Sequence, residues 1–288
     1  MIGLAQKPPL TCLELIRSTR EKIGKLDAEI ILEHLLCTGR AGLYIYENAI
    51  SAEIVNKFYA FVDERASGKP LEYIFGKAEF MGLEFTVTPD VLIPRPETEI
   101  LVEAALGSIK NMARRLPKYG LRILDLGTGS GNIAISLTKR ISNCKIIGSD
   151  ISLRALSIAR ENARLNGVED KITFIHSDLF QDLPRRRFDI IVSNPPYIAS
   201  AEIEGLTREV RLEPIAAQDG GLDGLGFYRR IIQRAPHFLK SGGFLLLEIG
   251  FNQALRVKRL LKKHGFSNII LLEDYNNIER ITVAQWKN

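Results

Sequence analysis

The chain has few of the residues that staple or metallate a fold. Its 288 residues include three cysteines and four histidines. Cys12, Cys37 and Cys144 are odd in number, widely spaced and form no CxxC pair. That argues against a disulfide framework or a cysteine zinc site and fits a reducing, cytoplasmic compartment. His34, His176, His237 and His264 have no metal-ligand spacing, so no metal is expected, and His34 reads as a packed helix residue. No apolar run approaches the roughly 20 residues that span a bilayer, which leaves no membrane partner in view. The opening MIGLAQKPPL lacks the basic start and long apolar stretch of a signal peptide. No internal repeat or low-complexity tract is visible. Neither sign of charge dominates: 39 basic and 34 acidic residues leave +5, weak encouragement for an acidic or nucleic-acid-associated partner. The run Arg185, Arg186, Arg187 reads as a solvated loop before a strand at Phe188.

What is present is a globular composition, 45% hydrophobic and 25% charged, able to bury a core without staples. The length suggests one large or two unequal domains. Residues 1–77 read as helices. Thr11 with Glu14 forms a capping-box pattern, Asp27 is placed to cap a second helix that stops at Gly39, and Ser51 a third that ends at Ser67-Gly68. Residues 78–93 read as a β-hairpin linker turning at Met81-Gly82. From 94 to 288 strands and helices alternate, the pattern of a mainly parallel sheet with helices on both faces. That domain opens with PRPETE, where Pro96 suits the first helical turn and Glu97 and Glu99 its positive end.

Ligands of such sheets bind beyond the carboxyl ends of the strands. The first strand of the alternation runs into Gly127, Thr128, Gly129, Ser130 and Gly131, where missing side chains let a bound molecule approach the backbone. A second strand ends at Asp150, 19 residues after Gly131, placed to accept from two ribose hydroxyls. Asp178, at the end of the third, is suited either to the edge of an adenine or to capping its own turn. A dinucleotide oxidoreductase also uses a glycine loop and a distant acid, but GxGxG lacks the final glycine of GxGxxG. The segment resembles the seven-stranded, Rossmann-like α/β methyltransferases that use S-adenosyl-L-methionine. The resemblance implies that residues 127–131 approach the amino-acid portion of the cofactor, with Asp150 on the ribose and Asp178 and Leu179 by the adenine.

The fourth strand, FDIIVSN, ends in Asn194, Pro195, Pro196 and Tyr197. The prolines hold the segment extended. The Asn194 side-chain oxygen and the Pro195 carbonyl then form two acceptors able to grip the two N–H groups of a planar nitrogen, while Tyr197 can stack on the group that carries it. A glutamine amide and an adenine amino group fit this motif equally. PRPETE, NPPYI and EPIAAQDGGLDGLGFYR, in that order, resemble the glutamine methyltransferases of peptide-chain release factors. The resemblance covers nearly the whole chain. It implies methylation of the glutamine of a GGQ loop, a release factor as partner, a recognition role for the N-terminal helices, and Arg95 and Glu97 over the pocket. Helix-capping polarity explains Arg95 and Glu97 equally well. The alternative is a nucleic-acid adenine methyltransferase. Direct nucleic-acid binding is not expected, because the N-terminal part has no basic or aromatic-basic stripe.

Overall fold

The computed structural model describes residues 11–46, 49–112 and 120–287, so the signal-peptide reading of MIGLAQKPPL lies outside the described residues. The chain divides into two compact units, Met1–Gly76 and Lys77–Asn288.

In the first unit, helix α1 (Cys12–Ile23) starts with the expected capping box. Thr11 Oγ1 accepts from the Glu14 amide at 3.3 Å and Glu14 Oε2 accepts from the Thr11 amide at 2.8 Å. Helix α2 (Lys25–Leu36) departs from expectation at both ends. It starts after Gly24, whose φ of 82° lets the chain reverse at once, so Asp27 already lies in the first turn. Asp27 instead pairs with Arg65 Nε at 2.5 Å. The helix ends at left-handed Cys37 rather than at Gly39. Two five-residue helices, α3 (Arg40–Tyr44) and α5 (Leu71–Phe75), are too short to leave a periodic signature; between them α4 (Ala52–Ala66) is capped by Ser51. Leu15, Ile16, Ile31, Leu32, Phe58 and Val62 form the core, each contributing about 1.5–3 kcal/mol by burial. His34 stacks on Phe75 with centroids 4.0 Å apart.

The second unit opens with β1 (Lys77–Phe80) and β2 (Leu83–Thr86), antiparallel about Met81-Gly82. Both turn residues have positive φ (54° and 73°), as a two-residue hairpin turn matched to strand twist requires. Then follow α6 (Pro96–Asn111), β3 (Leu121–Leu126), α7 (Asn132–Arg140), β4 (Cys144–Asp150), α8 (Leu153–Leu165), β5 (Ile172–His176) and β6 (Phe188–Ser193). The chain continues through α9 (Gly226–Phe238), β7 (Leu239–Glu248), α10 (Ala254–Lys263), β8 (Ser267–Glu273) and β9 (Glu279–Gln285). Among the described residues these strands form one seven-stranded sheet in the order β5-β4-β3-β6-β7-β9-β8. β9 runs antiparallel to both neighbours and the other pairings are parallel. Strand β7 begins four residues before the GFLLLEIG run, because Leu239 pairs with Phe188 across an irregularity. Leu101, Val102 and Ile133 of α6 and α7 belong to one core with Ile123 and Ile190 of the sheet. Tyr228, Ile231 and Val257 of α9 and α10 belong to a second, with Leu124 and Ile191. Successive residues of one strand thus serve opposite layers, which is why β6 is buried throughout. No helix among the described residues is long and apolar enough to cross a membrane.

Candidate active site

Strand order and register assemble the site. β3 lies between β4 and β6, the point where the winding of the sheet reverses and a crevice opens at the carboxyl ends. Leu126 pairs with Ser149 on one side and Ser193 on the other. The chain therefore leaves β3 as the glycine loop with Asp150 on one flank and Asn194 on the other. Ser193 pairs in turn with Leu247, which sets Glu248 beside Asn194.

Gly127 and Gly129 have φ of 70° and 54°, and a Cβ built on either would meet nothing within 4 Å. This bare backbone faces open space, a cradle that side chains would fill. Thr128 does not line it, because its hydroxyl is buried and donates to Asp125 Oδ2 at 2.6 Å. Burial pushes the Asp125 carboxyl up to about 7, against the lowering effect of that hydrogen bond. Ser130 is likewise buried. Asp150 Oδ2 accepts from the Gly129 amide and Oδ1 from the Ser152 amide, both at 2.9 Å. Each oxygen keeps a further lone pair. Burial raises this carboxyl while the backbone donors lower it. Beside it Ile151 is 60% exposed, an apolar side chain at the rim that the sequence reading did not single out. Bare loop, acid and apolar rim fit a nucleoside-bearing cofactor.

Asp178 is drawn outwards: its Oδ2 pairs with Arg230 of α9 at 2.6 Å and accepts from Gln181 at 3.3 Å. Leu179 follows with φ of 53°, turning the chain sharply. The two residues line a recess of about 260 Å³ with Phe180, Arg230 and Arg234. Arg185, Arg186 and Arg187 are exposed and lie at the amino end of β6, away from the crevice.

On the other flank, Asn194 Nδ2 donates to Thr98 Oγ1 at 3.1 Å, and Thr98 Oγ1 donates to Glu248 Oε2 at 2.7 Å. Thr98 and Glu248 are each 2% exposed. Burial raises the Glu248 carboxyl to about 7; Glu97 adds to the rise, while Thr98, Arg280 and Asn194 oppose it. Among the described residues no donor is bonded to Asn194 Oδ1 or to the Pro195 carbonyl. The sequence reading missed Thr98 and Glu248. The signal was a carboxylate closing an otherwise apolar strand.

The segment after Asn194 is clamped. The Ile198 amide donates to Gln218 O at 2.9 Å, the Gly220 amide to Ile198 O at 2.8 Å, and Gln253 Nε2 to Tyr197 O at 2.8 Å. A Cβ on Gly220 would lie 2.8 Å from Tyr197 Cα, and one on Gly224 would strike the Tyr197 carbonyl. That contact gives the physical link between NPPYI and the glycines of EPIAAQDGGLDGLGFYR. Burial pushes the half-buried Tyr197 phenol above its ordinary range. Arg95 Nη2 lies 2.7 Å from both oxygens of buried Glu213, so its guanidinium ties PRPETE to the same glycine-rich segment. Glu97 is half-buried, and its charge bears on both Tyr197 and Glu248.

Residues 15–76 match the family model described as PrmC N-terminal domain, and residues 108–210 the one described as methyltransferase small domain. The release factor glutamine methyltransferase of Geobacter sulfurreducens is 42% identical over 90% of this chain and 88% of its own length. That of Moorella thermoacetica is 40% identical over 90% of each. Among solved structures, the hMettl16 catalytic domain matches with a TM-score of 0.57 at 18% identity, covering 83% of both chains. A methyltransferase from Pyrococcus furiosus matches with a TM-score of 0.52 at 19% identity, over 73% of this chain and 91% of that one. The structural likenesses bear on the fold alone; identity at this level over nearly the full length shows that the chain belongs to the family of release factor glutamine methyltransferases.

Proposed function

We propose that the protein methylates the side-chain amide nitrogen of the glutamine in the GGQ motif of peptide-chain release factors. The observation that carries this reading is the pair of acceptors, Asn194 Oδ1 and the Pro195 carbonyl, at a strand end adjoining the bare glycine loop. The names of the relatives supply the substrate.

S-adenosyl-L-methionine, when bound, supplies an electrophilic methyl group. Within residues 127–131 the open backbone of Gly127 and Gly129 would hold its amino-acid portion, Asp150 the ribose, and Leu179 and Ile151 the faces of the adenine. Arg230 and Gln181 both bond Asp178 Oδ2, so Oδ1 would be the atom that accepts from the adenine edge. An amide nitrogen is a weak nucleophile because its lone pair is delocalised into the carbonyl. Asn194 Oδ1 and the Pro195 carbonyl would each accept one amide N–H, favouring a pyramidal nitrogen and stabilising the positive charge that develops there. Tyr197 stays a neutral phenol and offers its ring to the flat face of the amide. No side chain is required as base, since the methylated amide becomes acidic and releases its proton afterwards. Arg95 acts indirectly, by holding the segment at Glu213 against the pocket.

The test is incubation with labelled cofactor and purified release factor, the same factor with its GGQ glutamine replaced by alanine, and adenine-containing DNA. Label is expected on the first alone. Labelling of the alanine variant, or preferential labelling of DNA, would return the adenine reading to first place.

A further inference from the structure

The side chain of Asn194 can serve an amide substrate in only one of its two orientations. With Oδ1 outward it accepts from the substrate NH2; with Nδ2 outward it opposes donor to donor. The two orientations have nearly the same shape, so packing discriminates poorly between them and hydrogen-bond polarity must do so.

We propose that Thr98, itself set by Glu248, is the positioning residue that fixes this orientation. The proposal rests on the amide reading above. Thr98 Oγ1 has one proton and lies 2.7 Å from Glu248 Oε2. In its ionised form, favoured above about pH 7, the Glu248 carboxyl only accepts, so the Thr98 proton goes to Glu248 and Thr98 is left with lone pairs towards Asn194 Nδ2 at 3.1 Å. The amide NH2 of Asn194 turns inward and Oδ1 outward. Thr98 and Glu248 are both nearly inaccessible, so water cannot compete for the relay. Glu248 has no evident structural reason to be there. Among the described residues no cation lies within ion-pair distance of it, and Arg280 is engaged by Asp274 at 3.1 Å. An apolar or amide side chain would close the strand at lower cost in stability. The charge is accounted for by the polarity it imposes.

The experiment uses the full chain, a purified release factor as substrate, and calorimetry with S-adenosyl-L-methionine. Thr98→Val keeps the shape of the side chain and removes the hydroxyl. It is expected to lower kcat by about 10- to 100-fold, within the range of a lost preorganised hydrogen bond, with cofactor affinity unchanged. Thr98→Ser should restore most of the rate. In an Asn194→Ala background Thr98→Val should cost nothing further, because the group it orients is gone. Should Thr98→Val not fold, Thr98→Ala carries the same comparison. Near-wild-type turnover of the folded Thr98 variant beside an impaired Asn194→Ala overturns this proposal alone, as do effects that multiply in the double variant. Full turnover of Asn194→Ala overturns the amide reading and this proposal with it.

Discussion

Gly129 and Gly131 stand two residues apart in one loop, both with left-handed backbone, yet an added methyl group meets different surroundings at each. At Gly129, φ is 54° and a Cβ meets nothing within 4 Å. Gly129→Ala should therefore cost only the left-handed penalty of about 1–2 kcal/mol, a fall of roughly 2–8 °C in Tm. The methyl would stand in the bare cradle, where displacing a bound molecule by overpacking costs about 1–3 kcal/mol, or roughly 5- to 150-fold in Kd. At Gly131, φ is 83° and the Cβ would lie 3.0 Å from Ile135 Cδ1 and 3.3 Å from Ala159 Cβ, between α7 and α8. Gly131→Ala adds overpacking to backbone strain and should lose about 2–5 kcal/mol of stability. Thermal melts and calorimetry with S-adenosyl-L-methionine separate the two. The first variant should melt near wild type and bind poorly; the second should melt early. Wild-type affinity in a folded Gly129→Ala protein would refute the placement of the cofactor against this loop.

Asp150→Ala should weaken cofactor binding at least tenfold by calorimetry, since a charged acceptor contributes more than about 1.4 kcal/mol; unchanged affinity removes Asp150 from the ribose. Glu248 holds its proton more tightly folded, at about 7 against the usual 4.5, so its contribution to stability is full below the lower value and lost as pH rises through the upper. Glu248→Gln should then raise Tm relative to wild type at about pH 8, by the equivalent of up to ~3 kcal/mol, and little at about pH 5. An equal difference at both pH values would contradict a buried, titrating carboxyl. Deleting residues 1–76 should leave a folded, cofactor-binding unit with poor affinity for whole release factor, and normal kinetics on release factor would show that the first unit has no part in recognition.

Much of the architecture was legible because its signals are local. The alternation of strand and helix, the Met81-Gly82 turn, the Thr11 box and the glycine loop each declare themselves within a few residues. Asp27 misled because a neighbouring glycine, Gly24, let the helix begin early and freed the acid for Arg65, a residue far away in sequence. Asp178 is similar: its partner Arg230 reaches it from α9. Thr98 and Glu248 were illegible for a stronger reason. They are 150 positions apart and meet only because β6 and β7 are neighbours and α6 lies over them. Threonine in the first turn of a helix reads as capping polarity until the sheet order is known.

The contact of Gly220 and Gly224 with Tyr197 has a consequence for how this surface can change. The loop and the proline segment behave as one mechanical part, because the backbone of each is the other's support. Leu222, between those glycines, is 94% exposed. Substitution at Leu222 therefore costs the packing of the loop little. A single methyl at Gly224 would move the Tyr197 carbonyl and, through it, the acceptor at Pro195. Neighbouring positions in one short loop thus differ in what they tolerate: the exposed one accepts change, and the glycines hold the geometry of the proline segment.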